Sequence, residues 1–465
     1  MKGIPYLRWW IAVLLFGAAV LNYVDRQTLS ALAPTIQRDL AMDDRAYADI
    51  VNLFLVAYTI AYLVAGSLTD ALGTRAGMMV FVAWWSIANA LTAAASGVRS
   101  LGVFRFALGL GEAGVWPAAS KAVGEWFPAR ERALAIGCYT MGATMGATLA
   151  PYLVIPLTSH ALGETWPMLA RLLGSGAGWR LAFVLTGAAG LLWLIPWAAI
   201  YRRPGECRLI GEEELRLITA PDEGPVGDPA RAWSWREILT SRVVWLLLFA
   251  RLLTDPAWYF FQFWFAKYLH SERGLDQRQL TVTWVIYAAA GVGSLLGGWL
   301  SGWRIRRGAE AASGRLQVMA GCAVLMLLSP LVASAGSVWA ALGFAGLIVA
   351  AALAWLINLS ALIVDRVPAA ALGTVFGVVA AGSTLGGLLM NTLVSAMVAS
   401  APAVPAGFLD RAIQAGLGPL LSLVQGRGYG CWFWVMACLH ALTWLLLRFG
   451  GVGRRAPQSV PFPSS

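Results

Sequence analysis

Six ionisable side chains lie inside hydrophobic stretches of this 465-residue chain, where a charge is expensive to bury. They are Asp25, Arg26, Arg105, Glu112, Arg251 and Asp255. A charge at the centre of a membrane helix costs at least ~2.5–3.5 kcal/mol, so such residues persist where they face a cavity and pair. Arginine offers a planar, permanently charged guanidinium to an anion, whereas a buried carboxyl can change its proton affinity with its surroundings. These residue types indicate a site that handles an anion and a proton.

The spacing of four of these residues predicts how they meet. Asp25 and Arg26 are adjacent, so on a helix they point about 100° apart and cannot face the same partner. Arg105 and Glu112 are two turns apart on one face, about 10 Å along the axis, which is too far for a static salt bridge. Because their two stretches run in opposite directions, the four residues can form a compact cluster of two acids and two bases.

The remaining two charges have a simpler explanation. Arg251 and Asp255 are four residues apart, and oppositely charged side chains at that spacing pair along one helix. We assign them no further role from the sequence.

Twelve hydrophobic stretches must position these residues. The chain is 59% hydrophobic and 12% charged, against roughly 25% charged in soluble domains. A bilayer core is crossed by about 20 apolar residues in a helix. The predicted spans are 9–32, 47–69, 77–97, 99–122, 132–157, 180–201, 241–269, 280–303, 316–335, 337–363, 372–399 and 429–449. The sequence therefore predicts an all-α membrane protein.

Charge placement predicts the orientation of the chain. If both termini are cytoplasmic, Lys and Arg in cytoplasmic segments outnumber those outside about two to one, as expected for membrane proteins. The same bias explains the net charge of +10 without a nucleic-acid partner. The first stretch is too long for a cleaved signal peptide and should remain as an anchor. We expect a first half at 1–201, a cytoplasmic linker at 202–240, a second half at 241–449 and a cytoplasmic tail at 450–465.

Residues that would suggest enzymatic or metal chemistry are scattered. The five cysteines show no pairing or metal-ligand spacing, and His160, His270 and His440 are far apart in the sequence. There is no P-loop and no nucleophile–base pattern. We therefore expect no metal, no cofactor and no ATP hydrolysis, and we disfavour a membrane-embedded enzyme.

Two sequence echoes point to an internal repeat. Residues 66–75 resemble residues 298–307, and the glycine pattern at 142–148 returns at 382–388. Both separations are close to half the chain length. Two parallel six-helix halves of this kind enclose a site near the membrane midplane and rock around it. Small residues also let helices approach closely, so the glycines have a packing role as well.

The loop after the second stretch resembles the signature of the major facilitator superfamily. Asp70, Gly73 and Arg75 match it, whereas Ala71 stands where a basic residue is usual, and the second copy of the loop lacks the Asp. The resemblance implies twelve transmembrane helices in two pseudo-symmetric halves, with this loop acting in the conformational change.

Further motifs resemble the anion:cation symporter family, in particular its hexuronate and sugar-acid transporters. They lie at 21–27, 105–117, 126–132, 178–183, 254–264 and 365–377. One departure is Ala266, where relatives often carry Pro, which leaves a kink in the seventh span open. The resemblance implies proton-coupled uptake of a sugar acid by a monomer in the bacterial inner membrane. Other organic anions, such as an aromatic acid or a dicarboxylate, and efflux remain alternatives.

The resemblance also implies roles for the buried charges. It places proton coupling at Asp25 and Glu112, with Arg105 beside them, and substrate binding at Arg26. The hydroxyl groups of a sugar acid need neutral donors and acceptors. Tyr23 and Tyr58 are the first candidates, and Tyr58 matches a tyrosine of sugar-acid symporters. Candidates from the second half are Tyr259, Gln262, Asn358, Ser360, Ser383 and Thr384. Tyrosines also occur in cores and at interfaces, and Ser and Thr also join helices.

Overall fold

The computed structural model describes residues 4–42, 44–158, 177–219, 233–276, 279–398, 416 and 418–452. The predicted position of His160, residues 220–232 of the linker and residues 453–465 of the tail lie outside these ranges. Helices of the first half are α1 (Leu7–Asp39), α2 (Asp44–Leu72), α3 (Thr74–Thr92), α4 (Val98–Glu112), α5 (Val115–Trp126), α6 (Ala129–Val154) and α7 (Ala177–Ile200).

Two short helices precede the second half, α8 (Glu212–Thr219) and α9 (Trp235–Thr240). The second half contains α10 (Arg242–Phe263), α11 (Phe265–Arg273), α12 (Trp284–Arg306), α13 (Ala311–Met326), α14 (Pro330–Ser334), α15 (Val338–Arg366), α16 (Leu372–Val398) and α17 (Gly428–Phe449). In the described part of the chain, ten helical segments are long and apolar enough to cross a membrane. With α3 and the α4–α5 pair they make the twelve predicted spans, and the predicted fold is confirmed.

The fourth span differs from the prediction of one continuous helix. It breaks between Glu112 and Val115 because Pro117 has no N–H to donate to the carbonyl of Ala113. Gly114 fits the break, since a Cβ there would lie 2.2 Å from the ring of Phe81. Glu112 is therefore the last residue of α4 rather than a residue in mid-helix.

The seventh span also breaks, although it lacks the proline of its relatives. α10 ends at Phe263 and α11 begins at Phe265, with Trp264 between them at φ −114°. The indole of Trp264 donates to the side-chain oxygen of Asn391 at 2.7 Å. A break in the seventh span thus occurs with Ala266 in place of proline.

Glycines place equivalent helices of the two halves in close contact. In the first half a Cβ on Gly146 would lie 2.3 Å from the carbonyl oxygen of Val20, so α6 packs directly on α1. In the second half a Cβ on Gly386 would lie 2.4 Å from the carbonyl oxygen of Leu252, so α16 packs on α10. The repeated glycine pattern therefore serves the same helix pair in each half.

The two halves pack closely at one end of the bundle. We call it the linker end, because α1 and α10 start there and α7 ends there. A Cβ on Gly66 would overlap the carbonyl of Gly373, which brings α2 against α16. Likewise a Cβ on Gly137 would lie 2.5 Å from the carbonyl oxygen of Ser294, which brings α6 against α12.

The described part of the linker is attached to the start of α1. The backbone N–H of Ile4 donates to the carbonyl of Leu209 at 2.8 Å. The carboxylate of Glu214 accepts from the backbone N–H groups of Leu7 and Arg8 at 2.9 and 3.1 Å, and from the Arg8 guanidinium at 2.7 Å. An acidic side chain is favourable at a helix N-terminus, where backbone donors lack partners.

Candidate functional site

A buried ion pair between α1 and α4 forms the centre of the site. Arg26 donates from Nε and Nη2 to the same oxygen of Glu112, at 3.0 and 2.8 Å. The Glu112 side chain is fully buried, whereas 24% of the Arg26 side chain is exposed. The second oxygen of Glu112 has no hydrogen-bond partner in the described residues. Glu112 is thus inside the protein, and Arg26 connects it to accessible space.

Aromatic rings surround the Arg26 guanidinium. Its central carbon lies 4.8 Å from the ring centre of Tyr23, 4.7 Å from that of Tyr58 and 5.3 Å from that of Phe54. Aromatic faces attract such a cation. The hydroxyl of Tyr62 donates to that of Tyr58 at 3.4 Å. The two predicted tyrosines therefore lie beside the predicted anion anchor.

Arg105 contributes a second buried positive charge. One of its nitrogens approaches the backbone carbonyl of Arg26 at 3.4 Å, and its guanidinium lies 5.2 Å from the ring centre of Phe54. Its Nε and Nη1 have no partner in the described part of the chain. Glu112 bonds Arg26. In the described residues it makes no hydrogen bond to Arg105, as the two-turn separation led us to expect.

Asp25 faces away from this pair, toward α3 and α7. Its carboxylate accepts from the indole of Trp85 at 3.1 Å and from the amide of Asn89 at 2.7 Å. The same amide of Asn89 donates to Thr186 at 2.8 Å. The expected divergence of Asp25 and Arg26 is confirmed, and the two carboxylates occupy separate environments.

In the second half, Arg251 and Asp255 form the predicted intrahelical pair at 3.0 Å. Arg251 also donates to the hydroxyl of Ser360 at 2.5 Å. Ser360 is therefore already engaged by a charged neighbour. Asn358 is fully buried and donates to the carbonyls of Gly297 and Ala354, so it joins α15 to α12.

The other second-half candidates lie on α10 and α16. The hydroxyl of Ser383 approaches that of Tyr259 at 3.5 Å. Thr384 donates to the carbonyl of Ala381 within its own helix. Gln262 is half-buried and makes no hydrogen bond within the described residues. Tyr259 and Ser383 thus present adjacent hydroxyl groups, as Tyr58 and Tyr62 do in the first half.

Asp70 joins the two halves at the linker end. It accepts from the Lys121 ammonium at 2.5 Å, from the backbone of Gly373 at 3.0 Å, and from the backbone and hydroxyl of Thr374 at 2.7 Å each. Gly373 and Thr374 begin α16, where an acidic side chain is favoured. Gly73 adopts φ +79° before α3, a conformation that favours glycine.

A second contact between the halves is centred on Asp365. Its carboxylate accepts from Arg132 of the first half at 2.9 Å and from Arg315 of the second half at 2.5 Å. Arg315 also donates to the backbone carbonyl of Ala129 across the interface at 2.9 Å. These bonds hold the linker end closed.

Several of these residues were missed from the sequence. Lys121 and Arg315 lie at the edges of predicted spans, where a positive charge looks like an interfacial residue, yet they are 4% and 0% exposed. Trp85 and Asn89 are neutral, so the search for buried charges passed over them. Asn89 was detectable as an amide in an apolar stretch.

Comparison with known proteins identifies the architecture. The sequence profile of the Major Facilitator Superfamily matches residues 15–391. This chain belongs to the Major Facilitator Superfamily. As a member it is a multi-pass membrane transporter and not an enzyme.

Curated relatives of this superfamily member are named as sugar-acid transporters. A galacturonate transporter of Dickeya chrysanthemi is 33% identical over 64% of this chain and 83% of its own length. A hexuronate transporter of Escherichia coli is 32% identical over 64% of this chain and 66% of its own length. A D-galactonate transporter of Escherichia coli is 28% identical over 65% of this chain and 68% of its own length.

Solved structures share the fold of this superfamily member at low sequence identity. The proton:xylose symporter XylE superposes with a TM-score of 0.67 at 14% identity, covering 95% of both chains. The fucose:proton symporter of Escherichia coli superposes with a TM-score of 0.65 at 15% identity, covering 95% of this chain and 99% of the other.

Proposed function

We propose that this transporter couples the entry of a proton to the uptake of a sugar acid, such as a hexuronate or an aldonate. The observation that carries the proposal is the Arg26–Glu112 ion pair. A fully buried carboxylate holds a partly exposed guanidinium that is surrounded by tyrosines. A proton on Glu112 and an anion on Arg26 would each replace this contact, so the binding of one favours the binding of the other.

The coupling follows from charge balance. With Glu112 ionised, the pair is neutral and the Arg26 guanidinium is occupied. When Glu112 takes up a proton, Arg26 loses its counter-ion and can bind the carboxylate of the substrate through paired hydrogen bonds. Proton and anion together leave the net charge of the site unchanged. A loaded carrier then reorients without moving an uncompensated charge through a low-dielectric interior.

Other polar residues would complete the site. Tyr23 and Tyr58 flank Arg26, and Tyr259 and Ser383 provide hydroxyl groups from the second half. These groups suit the hydroxyls of a sugar acid. Arg105 would lie beside the proton path, and Asp25 would provide a second proton site. The names of the curated relatives, which include galacturonate, hexuronate and galactonate transporters, support this substrate class.

We further propose that the linker end is cytoplasmic and that the carrier works by alternating access in the bacterial inner membrane. Asp70 and Asp365 would release their partners across the interface when the linker end opens. The predicted halves, 1–201 and 241–449, would then rock about the central site.

Transport by purified protein in proteoliposomes tests the proposal. An inward proton gradient should drive accumulation of labelled galacturonate, and a protonophore should abolish it. Unlabelled aromatic acids and dicarboxylates should compete poorly. Accumulation that persists without a proton gradient would contradict the coupling.

A further inference from the structure

A basic cavity at the linker end lies outside the transport site. It has a volume of about 310 Å³ and lies between the α2–α3 turn and the segment that follows α7. Three arginines, Arg75, Arg202 and Arg203, line it together with one acid, Glu206. The lining therefore carries an excess of positive charge.

Within the described residues, none of the three arginines forms an ion pair with a carboxylate. Arg75 and Arg202 both donate to the backbone carbonyl of Ala198, at 2.6 and 2.7 Å, rather than to an acid. The Nε of Arg75 is buried without a partner in the described residues. Arg203 is exposed, and its guanidinium makes no ion pair or hydrogen bond within the same residues. Three guanidinium groups thus line one cavity, and some of their N–H donors have no partner within the described residues.

A half-buried acid beside two of the lining residues already has hydrogen-bond partners. Glu125 accepts from the hydroxyl of Thr74 at 2.7 Å and from that of Tyr201 at 2.6 Å. Both of its oxygens therefore accept from side chains that line the cavity. Glu125 therefore shapes the cavity through Thr74 and Tyr201 without closing an ion pair with the arginines.

The start of α3 adds backbone donors to the same cavity. Gly73 precedes the helix and provides no side-chain cap, so the first N–H groups of α3 lack an intrahelical partner. Thr74, Arg75 and Ala76 at this helix start all line the cavity. A helix N-terminus favours a negatively charged group.

Apolar side chains border the cavity on the outer surface of the bundle. Leu72 is 43% exposed, and Met79 on α3 also lines the cavity. Val80, the next residue along α3, is 42% exposed. A ligand with a negative head and a hydrocarbon tail would match both surfaces.

We propose that this cavity binds the phosphate of an anionic phospholipid headgroup. The phosphodiester would lie against Arg75, Arg203 and the start of α3, with the acyl chains along Leu72 and Met79. Basic pockets between membrane helices bind such headgroups. The proposal rests on the cavity and not on the identity of the transported substrate.

Lipid binding to the full-length protein, purified and delipidated, tests this site. Arg203→Gln is the test variant, and Arg208→Gln is its matched control. Both arginines are exposed and belong to the same segment, but Arg208 does not line the cavity. The measurement is equilibrium binding of fluorescent phosphatidylglycerol, with phosphatidylcholine as the neutral comparison.

We expect wild type to prefer phosphatidylglycerol, and Arg203→Gln to weaken its binding about five-fold, the equivalent of about 1 kcal/mol per basic residue. Arg208→Gln should bind like wild type, and Arg203→Lys should retain most of the affinity. Failure of soluble glycerol 3-phosphate to compete would support a lipid, whereas effective competition would support a phosphate site filled from solution. Equal losses in the two glutamine variants, or no preference over phosphatidylcholine, would overturn the proposal.

Discussion

Arg26 on α1 and Glu112 at the end of α4 are joined through a single carboxylate oxygen. The two donor–acceptor distances are 3.0 and 2.8 Å, and the other oxygen of Glu112 is buried without a partner in the described residues. A carboxylate held in this way uses only part of its hydrogen-bonding capacity. The two partners can therefore separate readily, because protonation of Glu112 breaks few hydrogen bonds other than those from Arg26.

The anion anchor can be tested by conservative substitution of Arg26. Lysine keeps the charge but lacks the planar paired donors. Losing one charge-assisted hydrogen bond costs about 1.5–3 kcal/mol, so Arg26→Lys should weaken galacturonate binding about ten- to hundred-fold. Arg26→Ala should abolish it. Binding is measured by equilibrium dialysis of purified protein, and Arg38→Lys, an exposed change on the same helix, is the control. Wild-type affinity in Arg26→Lys would rule out this role.

Asn89 should be energetically coupled to Asp25. Asn89→Ala removes a hydrogen-bond donor from a buried carboxylate and from the hydroxyl of Thr186, which should cost about 1–3 kcal/mol of stability. In the Asp25→Asn background, Asn89→Ala should lower the stability by a smaller amount, because the charged acceptor has already been removed. Unfolding of both single variants and the double variant, compared in one cycle, measures the difference. Additive effects would mean that the two side chains do not depend on each other.

The spans were predictable because membrane insertion depends on local composition. α15 and α16, for example, are long and consist mostly of apolar residues. The buried charges were found for the same reason, since an ionised side chain stands out in an apolar stretch. The repeated glycines indicated close helix packing in both halves, although they did not show which helices would meet.

Which charged side chains pair with each other was not predictable, because the pairing depends on how helices distant in sequence face each other. Spacing showed that Arg105 could not easily reach Glu112, but it could not show that Arg26 would. The position of Glu112 at a helix end depends on Pro117 and on the room left by Phe81 for Gly114. Neither the bundle packing nor the pairing of Arg315 with Asp365 is a property of one local stretch.

The orientation of the chain is open to a direct test. Placing the linker end in the cytoplasm requires a cytoplasmic C-terminus as well. Green fluorescent protein fused after Ser465 should fluoresce, whereas alkaline phosphatase at the same position should be inactive. The opposite pair of results would reverse the proposed orientation.

Breaking the buried contact at Asp365 should destabilise the protein. Arg315 is fully buried and reaches both Asp365 and the opposite half. Removing one partner of a buried ion pair costs about 3–5 kcal/mol, although Arg132 remains to compensate part of the charge. Arg315→Met should therefore lower the unfolding temperature markedly and increase labelling of cysteines introduced at the linker end. Arg304→Met, an exposed change near the same end, should do neither. Equal behaviour of the two variants would count against a structural role for Arg315.

The proposed coupling predicts that Glu112→Gln retains exchange of substrate but loses proton-driven accumulation. Glutamine keeps the shape of the protonated side chain but cannot release a proton, so Arg26 stays free to bind the anion. The variant should still bind galacturonate and exchange it across the membrane at a rate near that of wild type. It should fail to accumulate galacturonate when a proton gradient is imposed, because glutamine cannot bind and release a proton in each transport cycle.

Both assays use the same proteoliposomes, so that an unfolded protein, which fails both assays, is recognised. Asp25→Asn serves as the comparison, since its carboxylate bonds Trp85 and Asn89 and not Arg26. Full proton-driven accumulation by Glu112→Gln would exclude Glu112 as the coupling residue and transfer that role to Asp25.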